Sequence, residues 1–404
     1  MGWKRRKTML EKKNSFSLTS VIPFIAFVTL LISLVYYVNR FSFNEDIDTF
    51  SLGAVVWTVV SAAGVVLFLK KGNTKTKLFI SAFCYLLYNT FAILATATSL
   101  KEFAISIIYN FLWFSLMIVF FCYSKKNRIR KWYKYPIRLL LPVLLYLFII
   151  LVNRYQRTTT MSTLNPIFYL LYLVPFAFLE DGFFRYFDLL IIFVAIVLSY
   201  KRTALICLFV ILLYLFYRIF KETKHNKRRR FAIGITALLF LAGIIVAYFV
   251  IVGRYTNVDW SARLEAMFDS GGGRVERWNK FFTDMNESNV LEWIFGHGAV
   301  YPYYHNDFMQ IIYNSGLIGL LTYVVFCCCL IKKWIDMSRL NYKYTLAFGA
   351  SMIIFLADSM VGQVVVVHTW VLQLGVVWGI LLGDFYAFSQ EKRNERCQEL
   401  RNSF

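Results

Sequence analysis

The sequence predicts an all-α, polytopic bundle of about twelve membrane-spanning helices, and three observations lead there. Of the 404 residues, 59% are hydrophobic and only 17% charged, with a mean hydropathy of +0.56. Apolar runs near the length needed to cross ~30 Å of hydrocarbon recur along most of the chain. Tyr and Trp flank many of those runs, where amphipathic rings favour the headgroup level.

The runs fall at about 21–38, 51–69, 78–98, 103–123, 139–152, 164–179, 189–199, 203–217, 231–252, 311–331, 345–361 and 363–383. The first resembles a signal peptide, but no small-residue cleavage site follows Val38, so it reads as a retained span. If the chain starts inside, only eleven of the 44 Lys and Arg lie outside and the spans hold none. The inner runs include Lys4-Arg5-Arg6-Lys7 and Lys227-Arg228-Arg229-Arg230. This positive-inside bias puts both termini in the cytoplasm. A formal charge of +21 would suggest a nucleic-acid partner in a soluble protein. Here the basic residues hug the inner headgroups, and that class falls away.

Four parts follow: a bundle of about nine spans over 1–252, an outer loop at 253–310, three further spans over 311–384 and a cytoplasmic tail at 385–404. All seven Cys fall in predicted spans or inside, so no disulfide staples the loop. Cys327-Cys328-Cys329 are consecutive on an apolar helix, where packing is their expected use. Metal-ligand spacing is absent.

A long loop rich in charge and aromatics suits function better than connection. Val275, Trp278, Phe281 and Phe282 recur at helical spacing, which predicts an amphipathic helix at the outer leaflet or the bundle mouth. Ser270-Gly271-Gly272-Gly273 breaks the chain before it. Asn314-Ser315-Gly316 opens the tenth span with small residues.

Each outer cation can contact a lipid phosphate or pair with a loop acid. Three are better placed than that. Arg202 sits in a turn so short that its guanidinium stays near the bundle mouth. Arg274 opens the loop helix, and helix-start N–H groups plus a guanidinium suit a phosphate or diphosphate. Arg277, one turn on, shares its face. Converging Arg would neutralise a diphosphate leaving group. His297 in Phe-Gly-His-Gly and His305 in Tyr-Tyr-His-Asn-Asp end the loop. Either could accept a proton from a sugar hydroxyl or stabilise a turn. Asp358 is the one acid placed inside a span, and such a residue marks a site by default.

The runs SYKRTALICLFVILLYLF, GGGRVERW, FGHG and YYHNDFMQIIYNSGLIGLL occur in the order that resembles the bacterial O-antigen polymerase and O-antigen ligase superfamily. The resemblance covers residues 199–325. It implies a GT-C-like glycosyltransferase in the bacterial inner membrane, acting without metal or other cofactor. That enzyme transfers an oligosaccharide from an undecaprenyl diphosphate carrier on the outer face. Arg202 and Arg274 would hold the diphosphate and His305 would orient or deprotonate the acceptor hydroxyl. Arg277, His297, Asn306, Trp278 and Asp358 complete the expected substrate-binding set. Membrane lipid and a chain-length regulator are the further partners considered. Nothing in the loop specifies a lipid A–core acceptor, so polymerase is preferred to ligase. A flippase would show buried charge and broken helices in matching halves; the sequence shows no paired halves.

Overall fold

The computed structural model describes residues 50–97, 99–129, 140–146, 170–198, 202–222, 274–298, 304–362 and 368–402, with a few isolated positions elsewhere. The expected spans at 21–38 and 231–252, half of 139–152 and the glycine run before Arg274 lie outside them. Among the described residues the structure is helical, with no strand. The elements are α1 (Phe50–Lys70), α2 (Lys77–Thr96), α3 (Leu100–Asn127), α4 (Val174–Ala177), α5 (Phe183–Leu198) and α6 (Arg202–Glu222). They continue with α7 (Arg274–Asn286), α8 (Val290–Phe295), α9 (Asp307–Arg339), α10 (Thr345–Val361) and α11 (His368–Asn402). Five of these, α2, α3, α6, α9 and α11, are long and apolar enough to cross a membrane.

Several boundaries differ from the sequence reading, for physical reasons. Helix α5 begins at Phe183, not near 189, and Phe183, Phe184, Tyr186 and Phe187 extend its exposed apolar face. Arg185 turns back to donate to the Glu180 carbonyl at 2.7 Å. Residues 170–180 do not form one continuous helix: turns flank the single-turn α4, whose Pro175 supplies no N–H. All eleven are buried, the setting in which irregular backbone is tolerated at membrane depth. Helix α11 carries straight on through the expected tail, and its 35 residues span about 52 Å.

In lipid, helices associate by close packing and interhelical hydrogen bonds, not by a hydrophobic drive. Helices α3 and α11 follow that rule. Gly375, Gly379 and Gly383, spaced four apart, lie against the carbonyls of Trp113, Met117 and Phe121, so that any Cβ would collide with them. Polar side chains join the next layer. Asn89 of α2 donates to Asn110 of α3 at 2.9 Å, and Ser315 of α9 donates to Asn89 at 3.3 Å. Ser115 of α3 donates to the Ser61 carbonyl of α1 at 2.9 Å.

The two ends of the bundle differ. At one, buried Asp384 of α11 accepts from Arg128 Nε at 2.8 Å, the Ile129 N–H at 2.9 Å and the Tyr342 hydroxyl at 2.6 Å. This knots the end of α3 to the α9–α10 connection. At the other end, the start of α6, the start of α9 and the end of α10 meet beneath the loop helix α7.

Candidate functional site

The site is built on a broken helix. Gly316 interrupts α9 with φ 62° and ψ −169°, a backbone that side chains with a Cβ rarely adopt. Such a break leaves carbonyls without their intrahelical donors. The carbonyls of Tyr313 and Asn314 are served instead by the N–H groups of His297 at 2.8 Å and Gly298 at 2.9 Å. Helix α8 thereby docks on the break. Gly296 faces the Asn314 carbonyl and Gly316 faces the Ile294 carbonyl, each too closely for a Cβ. Asn289 caps α8 in a reciprocal box with Glu292.

This explains the Phe-Gly-His-Gly run. The His297 ring stacks on Tyr313 with centroids 4.3 Å apart, 8° from parallel. Its Nδ1 meets the Tyr313 carbonyl at 3.2 Å and its Nε2 the Ser288 hydroxyl at 3.0 Å. Both ring nitrogens are therefore engaged within the chain. His297 also lines a polar cleft of about 370 Å³ with Lys280, Asp284, Glu287, Ser288, Glu292 and Tyr313.

Helix α7 is described from Arg274 onward, and the expected loop helix is present. Of the four residues that suggested it, Phe281 is buried, Trp278 is half-buried, and Val275 and Phe282 are exposed. Arg274 itself reaches into the bundle. Its Nε donates to the Val361 carbonyl at the end of α10 at 3.1 Å, and its Nη2 to Thr203 Oγ1 at 3.3 Å. Thr203 follows Arg202, the first residue of α6, so these two positions of the sequence reading belong to one neighbourhood. Arg277, one turn on, is exposed.

Asp358 is buried one turn before the end of α10, 1% exposed, and accepts from the Tyr172 hydroxyl at 2.6 Å. It lies close enough to Arg274 for their charges to interact. A second acid, Asp307, is fully buried in the first turn of α9. Sequence reading missed both Asp307 and Tyr172. The Tyr-Tyr-His-Asn-Asp run was the available signal for Asp307. Nothing local pointed to Tyr172, 186 positions from its partner.

His305 and Asn306 link these parts. Asn306 caps α9, its Oδ1 accepting from the Met309 N–H at 3.1 Å, while its Nδ2 donates to the Met360 carbonyl at 2.9 Å. Two consecutive carbonyls at the end of α10 are thus held from the loop, Met360 by Asn306 and Val361 by Arg274. His305, half-buried, precedes the cap with a left-handed φ of 51°. Tyr304 before it is fully buried, and its hydroxyl donates to Asp284 at 2.6 Å. Burial, reinforced by that carboxylate, holds the Tyr304 hydroxyl well above the usual phenol range, so it remains a donor.

The described geometry thus gathers Arg274, Asp358, Asn306, His305 and the Arg202 position at one end of the bundle. No curated protein matches the chain. Residues 187–324 match the model of the O-antigen ligase family, an interval running from α5 through the break in α9. It takes in Arg202, Arg274, Arg277, Trp278, His297, His305 and Asn306, and leaves Asp358 outside. Over that third of its length the chain carries the family's pattern, which supports its place in the O-antigen polymerase and ligase superfamily.

Proposed function

We propose that the protein is a polysaccharide polymerase of about twelve spans in the bacterial cytoplasmic membrane, with both termini inside and the α7–α8 loop outside. It joins a lipid-diphosphate-linked oligosaccharide to a lipid-linked repeat unit of an O-antigen or capsule, releasing undecaprenyl diphosphate. The observation that carries this reading is Arg274, which opens α7 and grips both α6 and α10 beside His305 and the Asn306 cap.

The chemistry follows from the residues. An acceptor hydroxyl attacks the anomeric carbon of the donor sugar. The bond from that carbon to the diphosphate oxygen breaks, and its electron pair leaves with the diphosphate. The hydroxyl proton passes to His305, a group suited to transfer near neutral pH. Arg274 and Arg202 offset the charge that gathers on the leaving group, with Arg277 adding to that field from the exposed face of α7. Trp278, Asn306 and His297 line the path of the oligosaccharide. Asp358 supports Arg274 from below. Neither a metal nor a nucleotide enters the scheme, since the lipid diphosphate is itself the activating group.

The family match fits a ligase equally well, with the same bonds made and broken on a lipid A–core acceptor. A deletion strain separates the readings. Single repeat units capped on lipid or core indicate the polymerase, and free unattached polymer indicates the ligase. Lipid-linked units stranded in the cytoplasm would overturn both in favour of a flippase.

A further inference from the structure

Three described residues other than glycine have a positive φ: Arg128 at 60°, Asn341 at 51° and His305 at 51°. The first two follow the last turns of α3 and α9, where a left-handed residue commonly ends a helix. His305 precedes a helix, so no such cap accounts for it. A left-handed conformation strains an L-residue and persists only where the surroundings over-determine it.

Those surroundings are specific. On one side, Asn306 is fixed by the Met360 carbonyl and the Met309 N–H. On the other, the Tyr304 N–H donates to Gln310 Oε1 at 3.1 Å and its hydroxyl to Asp284 at 2.6 Å. The Tyr304 ring is held edge-on by Phe281 at 5.3 Å and Tyr313 at 5.2 Å. Asp284 stands near the C-terminal end of α7, the helix that Arg274 begins. One rigid element therefore carries Arg274 at its start and the anchor for the neighbour of His305 ten positions later, about 15 Å along its axis.

We infer that Asp284 and Tyr304 are positioning residues: the Asp284 carboxylate fixes the Tyr304 ring, and through it the backbone that presents the His305 imidazole in register with Arg274. This rests on the role proposed for His305. A misplacement of about 1 Å at such a group costs on the order of 10²-fold in rate, so a clamp of this kind acts on turnover and not on substrate affinity.

The test uses the full chain in nanodiscs, with lipid-diphosphate-linked repeat units extracted from a strain that lacks the gene. Tyr304→Phe and Asp284→Ala should each lower kcat by about tenfold or more with KM unchanged. Asp284→Asn, whose amide oxygen can still accept from Tyr304, should stay within about threefold of the parent. The double variant Tyr304→Phe/Asp284→Ala should be no slower than the worse single, because both act through one contact. Wild-type kcat in the single variants, multiplied losses in the double, or an Asn variant as slow as the Ala variant would each overturn the inference. Asp284 is half-buried on the surface of α7, so its variants keep the question answerable if Tyr304→Phe fails to fold. His305→Ala separates the two levels. Full turnover there removes the role of His305 itself, whereas loss there beside normal Asp284 and Tyr304 variants removes only the clamp.

Discussion

Arg274 Nε donates to the carbonyl of Val361 at 3.1 Å, so the first residue of the loop helix is tied to the last residue of α10. A planar guanidinium can hold this carbonyl from Nε while Nη2 reaches Thr203. An ammonium has no such fork. Arg274→Lys keeps the charge and loses the geometry. It should reduce polymer formation by about 10²-fold or more, comparable to removing one preorganised donor from a developing anion. Wild-type chain-length ladders from the Lys variant would show that charge alone suffices.

His305 offers a prediction that does not depend on activity. At a φ of 51°, glycine is relieved of the strain that alanine retains. His305→Gly should therefore unfold later than His305→Ala in a detergent melt, by about 1 kcal/mol. Both variants should lack turnover. The reverse order of stability would mean that the left-handed backbone is not what the surroundings impose.

The break in α9 should be equally exacting. Gly316→Ala places a Cβ against the Ile294 carbonyl at a φ that disfavours it, and Gly296→Ala meets the Asn314 carbonyl. Each should cost on the order of 1–3 kcal/mol from strain alone, with the contact adding to that. The expected readout is early proteolysis between α7 and α9 at 25 °C. Parent-like protease resistance in both variants would contradict the docked arrangement of α8.

Asp384, at the other end, provides a control. Asp384→Ala removes the acceptor of the Tyr342 hydroxyl and the Ile129 N–H and leaves Arg128 only its exposed pairing with Glu391. Removing one partner of a largely buried pair costs about 3–5 kcal/mol, an upper figure here because the Arg128 side chain is 37% exposed. Stability should fall while turnover per folded molecule holds. Lost turnover at parental stability would mean that the two ends are coupled.

How much of this was legible in the sequence differs from residue to residue. The helix of α7 was, because apolar spacing is a local signal, and Trp278 and Phe281 turn inward as that spacing suggested. The Asn314-Ser315-Gly316 run drew notice as a small-residue entry to a span. The apolar pattern continues through it, and composition carries no φ, so the break itself stayed hidden. The same limit applied to His297. Its partners are a serine hydroxyl nine positions away and a backbone carbonyl sixteen away, exposed only because α9 is broken. Asp358 stood out as a lone acid among apolar residues. Its partner Tyr172 did not, since a tyrosine in an aromatic-rich membrane chain is unremarkable until the fold sets it opposite a carboxylate.

The central claim is that Arg274 and His305 act together on a lipid diphosphate donor. Its most direct test is release of undecaprenyl diphosphate from lipid-linked repeat units by the purified protein in liposomes containing EDTA. The parent should release the carrier as longer chains appear, and Arg274→Ala and His305→Ala should each release at least about 10²-fold less at equal folded protein. Release by either variant at the parental rate, or a parent that stops when the chelator is added, would contradict the account.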